Sequence, residues 1–157
     1  MDKPAVLFVC LGNICRSPLA EAAFRDAASR AGLSVETASA GTGRYHLGYP
    51  PDPRAQAVAR RAGIDISGRK ARLVTPADFR RFTHILAMDS ANLDDLAALR
   101  PADATAELSL LLDHVPGRAG QSVADPYYGP DDGFETTWAD VTAGAQALVH
   151  RLSPQLK

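Results

Sequence analysis

Cys10 and Arg16, six positions apart, are the pair in this chain best suited to chemistry. A thiolate is a nucleophile, and a guanidinium forks two hydrogen bonds onto phosphoryl oxygens with matching planar geometry. The spacing alone is weak, because an arginine-rich chain produces it by chance. Its setting adds specificity. Between the two lie Gly12 and Asn13, residue types that tolerate tight or left-handed backbone. Successive backbone N–H groups in such a loop converge as an anion-binding nest. A helix beginning near Ser17 adds its own unsatisfied N–H groups and the positive end of its dipole. The same field favours the thiolate, so one loop serves both phosphate binding and attack on phosphorus. A blander account competes: a cysteine closing a buried strand is ordinarily a small core hydrophobe, and an arginine at a helix start is ordinarily solvated.

The elements around the pair decide between these accounts. Ala5 to Cys10 is a continuous apolar run rich in β-branched and aromatic residues, the pattern of a strand buried on both faces. Ser17-Pro18 then reads as an N-cap followed by proline at the first helical position. The helix presents Ala20, Phe24, Ala27 or Ala28, and Ala31 on one side, and Gly32 ends it. A second strand is expected over Leu33 to Ser39, then a loop from Ala40 to Pro53 and a helix from about Arg54 to Ala62. Thr75 to Asp78 opens a short helical segment, His84 to Met88 is a third strand, and Ser90 caps a helix running toward Leu99. Glu107 to Leu112 fits a fourth strand or a helical turn equally well. A long polar loop, Gly117 to Gly133, precedes a helix over Phe134 to Leu152 with Trp138, Val141, Ala145 and Leu148 at helical spacing. Alternating strands and helices predict one doubly wound α/β domain over residues 1–157, a four-stranded parallel sheet with helices on both faces. Ligands of such sheets bind outside the carboxyl ends of the strands, where the Cys10 loop lies.

Composition narrows the partners. The chain has 157 residues, 46% hydrophobic and 22% charged, which suits a single folded domain with one core. A net charge of -1 gives no reason to expect nucleic acid, so any anion site must be local. The two cysteines suggest a reducing compartment rather than a disulfide framework. The apolar run near the N-terminus is short and has no small-residue cleavage site, and no stretch is long enough to span a bilayer. Cytoplasmic location without membrane attachment is the expectation. The four histidines lack metal-site spacing with Cys10 and Cys15, so no metal or other cofactor is expected.

Val9-Cys-Leu-Gly-Asn-Ile-Cys-Arg-Ser-Pro18 closely resembles the active-site loop of the low-molecular-weight protein tyrosine phosphatases. The likeness runs on through Ser39-Ala-Gly41, Gly48-Tyr-Pro-Pro-Asp52, Met88-Asp89, Asn92-Leu93, Asp125-Pro-Tyr-Tyr-Gly129 and Phe134-Glu135, in the family's order. The resemblance implies that Cys10 attacks phosphorus, that Arg16 binds phosphate, and that Asp125 is general acid and then general base. Taken by itself, Asp125-Pro126 would read as a turn. It further implies that Leu11, Gly12, Asn13, Ile14, Cys15 and Ser17 form the substrate-binding loop, with Tyr45, Tyr127 and Tyr128 as aromatic walls of the slot. Ser17 would also hydrogen-bond the Cys10 sulfur, while Ser39 and Asp89 brace the loop from behind; taken by themselves, Ser39 would end a strand and Asp89 would cap the helix before Asn92. A reversible Cys10–Cys15 disulfide that shields the nucleophile is implied as well.

One departure stands out. Where the family often has a histidine in the bracing network, this chain has Ser67-Gly-Arg-Lys-Ala-Arg72. The implied partners are phosphotyrosine proteins or small aryl phosphates. A phosphoarginine phosphatase is the first rival, disfavoured because such relatives tend to carry threonine where Ile14 stands. Arsenate reduction would need a cysteine beyond Cys15, and there is none. A non-catalytic phosphotyrosine-binding module would have no use for Asp125.

Overall fold

A computed structural model of the chain describes residues 3–127, 129–130 and 132–153. The chain opens with β1 (Ala5–Cys10), α1 (Arg16–Arg30), β2 (Glu36–Gly41), α2 (Pro53–Arg61) and α3 (Asp78–Arg81). It continues with β3 (His84–Ala87), α4 (Ser90–Leu99), β4 (Glu107–Leu110) and α5 (Gly133–Leu152). Among the described residues the strands form one four-stranded sheet in the order β2-β1-β3-β4, every pairing parallel.

Strand β1 is central, and all six of its residues are buried. Its alternate side chains go to opposite faces, as strand geometry requires. Val6, Phe8 and Cys10 join a core built with α1, α2 and α5, whereas Ala5, Leu7 and Val9 join one built with α3 and α4. A strand clothed on both sides has no polar face, which is why its sequence shows no alternation. Phe8 meets Phe24 of α1 with ring centroids 5.5 Å apart. Alanines at 20, 23 and 28 keep the buried side of α1 thin, and α5 packs close against it.

Several boundaries differ from the sequence reading. Strand β2 begins at Glu36 and extends through Gly41, because its partners are Ala5 through Cys10 in register. As an edge strand its outer side is paired only at Gly41, which bridges Leu73, so its composition carries a weaker signal than β1. Helix α1 begins at Arg16 with Cys15 at the N-cap, and no side chain caps it. Ser17 is therefore inside the first turn rather than the cap. Helix α4 is capped by Asp89, whose Oδ1 accepts from the Asn92 N–H at 2.7 Å, and not by Ser90. Both readings of Glu107 to Leu112 are realised in part: a strand to Leu110, then a 3-10 turn over Leu111–His114.

That turn sits against α5 at Gly144, where a β-carbon would lie 2.5 Å from Cγ of the fully buried Leu111. A Gly144→Val substitution is expected to cost about 1–3 kcal/mol through overpacking. Urea unfolding would show it as a lower midpoint at unchanged slope.

Candidate active site

The loop from Leu11 to Cys15 leaves β1 and enters α1 at the carboxyl edge of the sheet. Asn13 shapes it. Its φ is 58°, the left-handed region that asparagine tolerates better than most residues. Its N–H points back at the Cys10 sulfur, 3.3 Å away. The Asn13 side chain is satisfied at both ends. The Arg72 N–H can only donate, and it lies 3.0 Å from Oδ1, which sets the orientation of the amide. Nδ2 therefore faces the hydroxyls of Ser17 at 2.8 Å and Ser39 at 3.0 Å, donating to both.

Ser17 is fully buried, and its Oγ is 3.0 Å from the Cys10 sulfur. Because Oγ already accepts from Asn13, its own proton is left to give, and the sulfur is a nearer acceptor than the Ala40 carbonyl at 3.5 Å. The helix has no side-chain cap because Cys15 stands at the N-cap, and the Ser17 hydroxyl, inside the first turn, is used at the sulfur instead.

Arg16 is only 3% exposed. One guanidinium nitrogen, Nη1, donates to Asp89 and to the Val123 carbonyl at 3.1 Å, and Nη2 is 3.5 Å from Oδ2 of Asp125. Burial alone would lower its pKa. The Cys10 sulfur, Asp89 and Asp125 outweigh that and raise it, so the charge is permanent. Asp89 does two jobs with two oxygens, bracing Arg16 and capping α4.

Asp125 lies on the long loop before α5 and is partly exposed. Its Oδ1 accepts from the Tyr127 N–H at 3.0 Å, a local turn that orients the carboxylate. The loop is stitched to the sheet by Val123, whose N–H donates to the Met88 carbonyl at 2.7 Å. A second strut comes from α2. The Asp52 N–H donates to the Ile14 carbonyl at 2.8 Å, and the Asp52 carboxylate caps α2 through the Arg54 N–H. The Arg54 guanidinium binds that carboxylate with two hydrogen bonds and also donates to the Tyr127 carbonyl at 3.1 Å. The Asp52–Arg54 pair thus ties the Cys10 loop to the Asp125 loop.

Cys10, Arg16 and Asp125 together line one cleft of about 470 Å³. The sequence model of the family described as low molecular weight phosphotyrosine protein phosphatase matches residues 5–157. The chain belongs to that family. The low molecular weight phosphotyrosine protein phosphatase of Schizosaccharomyces pombe is 44% identical over 132 residues, covering 82% of this chain and 84% of that one. YfkJ of Bacillus subtilis, a low molecular weight protein-tyrosine-phosphatase, is 42% identical over 147 residues, 92% of this chain and 93% of that one. The YfkJ crystal structure aligns with a TM-score of 0.90 over 100% of this chain and 99% of that one. A Drosophila arginine phosphatase also shares the fold, at 28% identity and a TM-score of 0.87, covering 94% of this chain and 97% of that one.

Within this low molecular weight phosphatase, the residues expected from sequence are distributed over two layers. Leu11, Gly12, Ile14, Cys15 and Tyr45 line the cleft with Cys10, Arg16 and Asp125. Asn13, Ser17 and Ser39 stand behind the loop, their side chains bonded to one another. Tyr128 falls outside the described residues. Tyr127 lines the cleft too, and one cleft residue was not foreseen: His46, whose ring lies 5.7 Å from that of Tyr127 and rests on Gly12. A β-carbon at Gly12 would be 2.9 Å from the His46 ring. Asp52-Pro-Arg54 is legible as a helix cap, but its link to Tyr127 crosses 73 positions and has no local signal. In the stretch without the family's histidine, the Arg72 N–H serves Asn13 and Arg69 pairs with the buried Glu21 at 3.4 Å. Among the described residues no three His, Cys, Asp or Glu side chains converge as metal ligands do.

Both cysteines are free and buried. Burial, with the charges of Asp52, Cys10 and Asp125, pushes the Cys15 thiol far above the ordinary range. Cys15 stays protonated at neutral pH, and iodoacetamide on folded Cys10→Ser protein is expected to leave it unlabelled by mass spectrometry until denaturant is added.

Burial alone would raise the Asp52 carboxyl pKa, but the Arg54 hydrogen bonds and charge hold it below the usual range. Such a depressed pKa contributes stability that is present above the unfolded value and lost as pH falls through the folded one. Asp52→Asn should therefore cost about 1 kcal/mol near neutrality. Urea unfolding should show the gap closing in acid, below the ordinary carboxylate pKa of ~4.

Proposed function

We propose that this chain hydrolyses phosphotyrosine through a phosphocysteine intermediate on Cys10. The observation that carries the reading is the placement of one sulfur, one cation and one carboxylate in a single cleft. The sulfur takes hydrogen bonds from the Asn13 N–H and Ser17, and Arg16 reaches Asp125 at 3.5 Å. The phosphoryl group sits in the N–H groups of the loop, with Arg16 turning two donors onto its oxygens. The Cys10 thiolate attacks phosphorus as the ester P–O bond breaks, and Asp125 gives its proton to the departing phenolate. Water then attacks the phosphocysteine. Asp125 takes the proton from that water, phosphate forms, and the thiolate leaves with the Ser17 hydroxyl donating to it.

Selectivity for the aryl ester follows from depth. Cys10 is 3% exposed while Tyr45 at the rim is 74% exposed, so the phosphate must be carried down on a long, rigid group. A phenyl ring does this, and a serine or threonine side chain falls short. Ile14 gives the wall an apolar side chain that suits a ring better than a guanidinium. The need for a reduced thiol favours a reducing compartment such as the cytoplasm. No helix among the described residues is long and apolar enough to cross a membrane.

Phosphate release from a phosphotyrosine peptide in EDTA, beside phosphoserine and phosphoarginine peptides, tests the reading. Turnover of the tyrosine ester alone is expected, abolished in Cys10→Ser and reduced by about 10²–10⁴-fold in Asp125→Asn. Comparable turnover of phosphoarginine would assign the cleft to the rival substrate. Tight phosphotyrosine binding without turnover would make the chain a recognition module.

A further inference from the structure

Among the described residues the large apolar side chains are buried or half-buried with four exceptions, three of which fall between positions 45 and 49. Among the described residues the exposed ones are Leu11, Tyr45, Leu47 and Tyr49, at 40, 74, 41 and 61%. Leu11 and Tyr45 line the cleft itself. Tyr45 also borders a second, shallower depression with Arg44 and Leu73 on its other side. The Tyr49 ring is 5.9 Å from that of His46, which lines the cleft too.

This rim is preformed. The Gly48 N–H donates to the Ala71 carbonyl, the Ala71 N–H to the Tyr49 carbonyl and the Tyr49 N–H to the His46 carbonyl, each at 2.9 Å. The Tyr45 ring lies over Gly43. Aromatic and aliphatic groups held in water by a fixed backbone are a standing cost that a bound partner removes.

We propose that this apolar collar docks the residues flanking a phosphotyrosine and selects apolar or aromatic neighbours over acidic ones. The inference rests on the phosphatase reading above, since it is continuity with the cleft that names a phosphopeptide as the occupant. Size favours a peptide over a second copy of the chain, because four side chains are far fewer than the ~20–30 residues a side of a stable interface. Charge points the same way. Arg54 and Arg72 are committed to Asp52 and Asp78, and Asp125 adds negative charge at the cleft. Arg44 is exposed, as is Lys70 beside Ala71, and exposed cations attract an acidic residue only weakly in salt.

The test compares kcat/KM for three phosphotyrosine peptides, flanked by leucine and phenylalanine, by alanine, or by aspartate and glutamate. A small aryl phosphate, which fills the cleft but has no flanking residues to place on Leu47 and Tyr49, serves as reference. The apolar-flanked peptide is expected to exceed the alanine-flanked one roughly tenfold, the scale of one partly buried apolar side chain. In a Leu47→Ser, Tyr49→Ser double variant that preference should disappear while aryl phosphate turnover is unchanged. Equal rates across the peptides, or preference for acidic flanks, would overturn the proposal. So would concentration-dependent dimerisation by sedimentation that the double variant abolishes, with no flank preference. Loss of all turnover, aryl phosphate included, would strike the phosphatase reading instead.

Discussion

Arg16 carries a permanent positive charge almost wholly withdrawn from water, and a guanidinium so placed is tolerated only where its donors are matched. Its partners come from two separate stretches of chain. Asp89 follows β3, and Val123 and Asp125 both lie on the long loop before α5. Satisfying one buried cation therefore brings the end of the central sheet and the carboxylate loop to the start of α1. A protein of net charge -1 needs such a device, because it offers an anion no general attraction.

The same economy governs the loop behind the sulfur. Every polar atom of the Asn13 side chain is used, and using them forces Ser17 to present its proton toward Cys10. The left-handed backbone at Asn13 is the strained position, and four bonds from three directions hold it there. The donors that face the Cys10 sulfur are thereby held in place by the fold itself. Asp52 and Arg54 extend the arrangement outward, making the separation between the sulfur loop and the Asp125 loop a property of α2.

Around this polar floor the chain leaves its exposed apolar side chains at the rim. Deep polarity and a greasy mouth suit a ligand with a charged tip on an aromatic stem. His46 joins the two zones, lying on Gly12 at the loop and between the rings of Tyr49 and Tyr127.

Much of this was legible from the residues alone. Strand β1 announces itself because burial on both faces removes every polar residue from it, and the loop announces itself because anion binding restricts residue types over consecutive positions. The sequence reading placed α2 and α5 within a residue, α5 through the helical spacing of its apolar side chains. Where two local uses of one side chain compete, the outcome depends on partners far away in the chain. Ser17 and Asp89 both had plausible cap roles; Ser17 stands inside the first turn and serves the sulfur and Asn13 instead, while Asp89 kept its cap and took Arg16 as well. The edge strand β2 took its boundaries from pairing with β1. His46, Arg54 and Arg72 went unassigned because their partners lie across loops and have no periodicity to betray them. Sequence determined the elements and the reacting groups, since those depend on residue type and near neighbours. Tertiary structure alone decided which hydroxyl, carboxylate and cation meet, since that depends on satisfying buried polar groups contributed by distant segments.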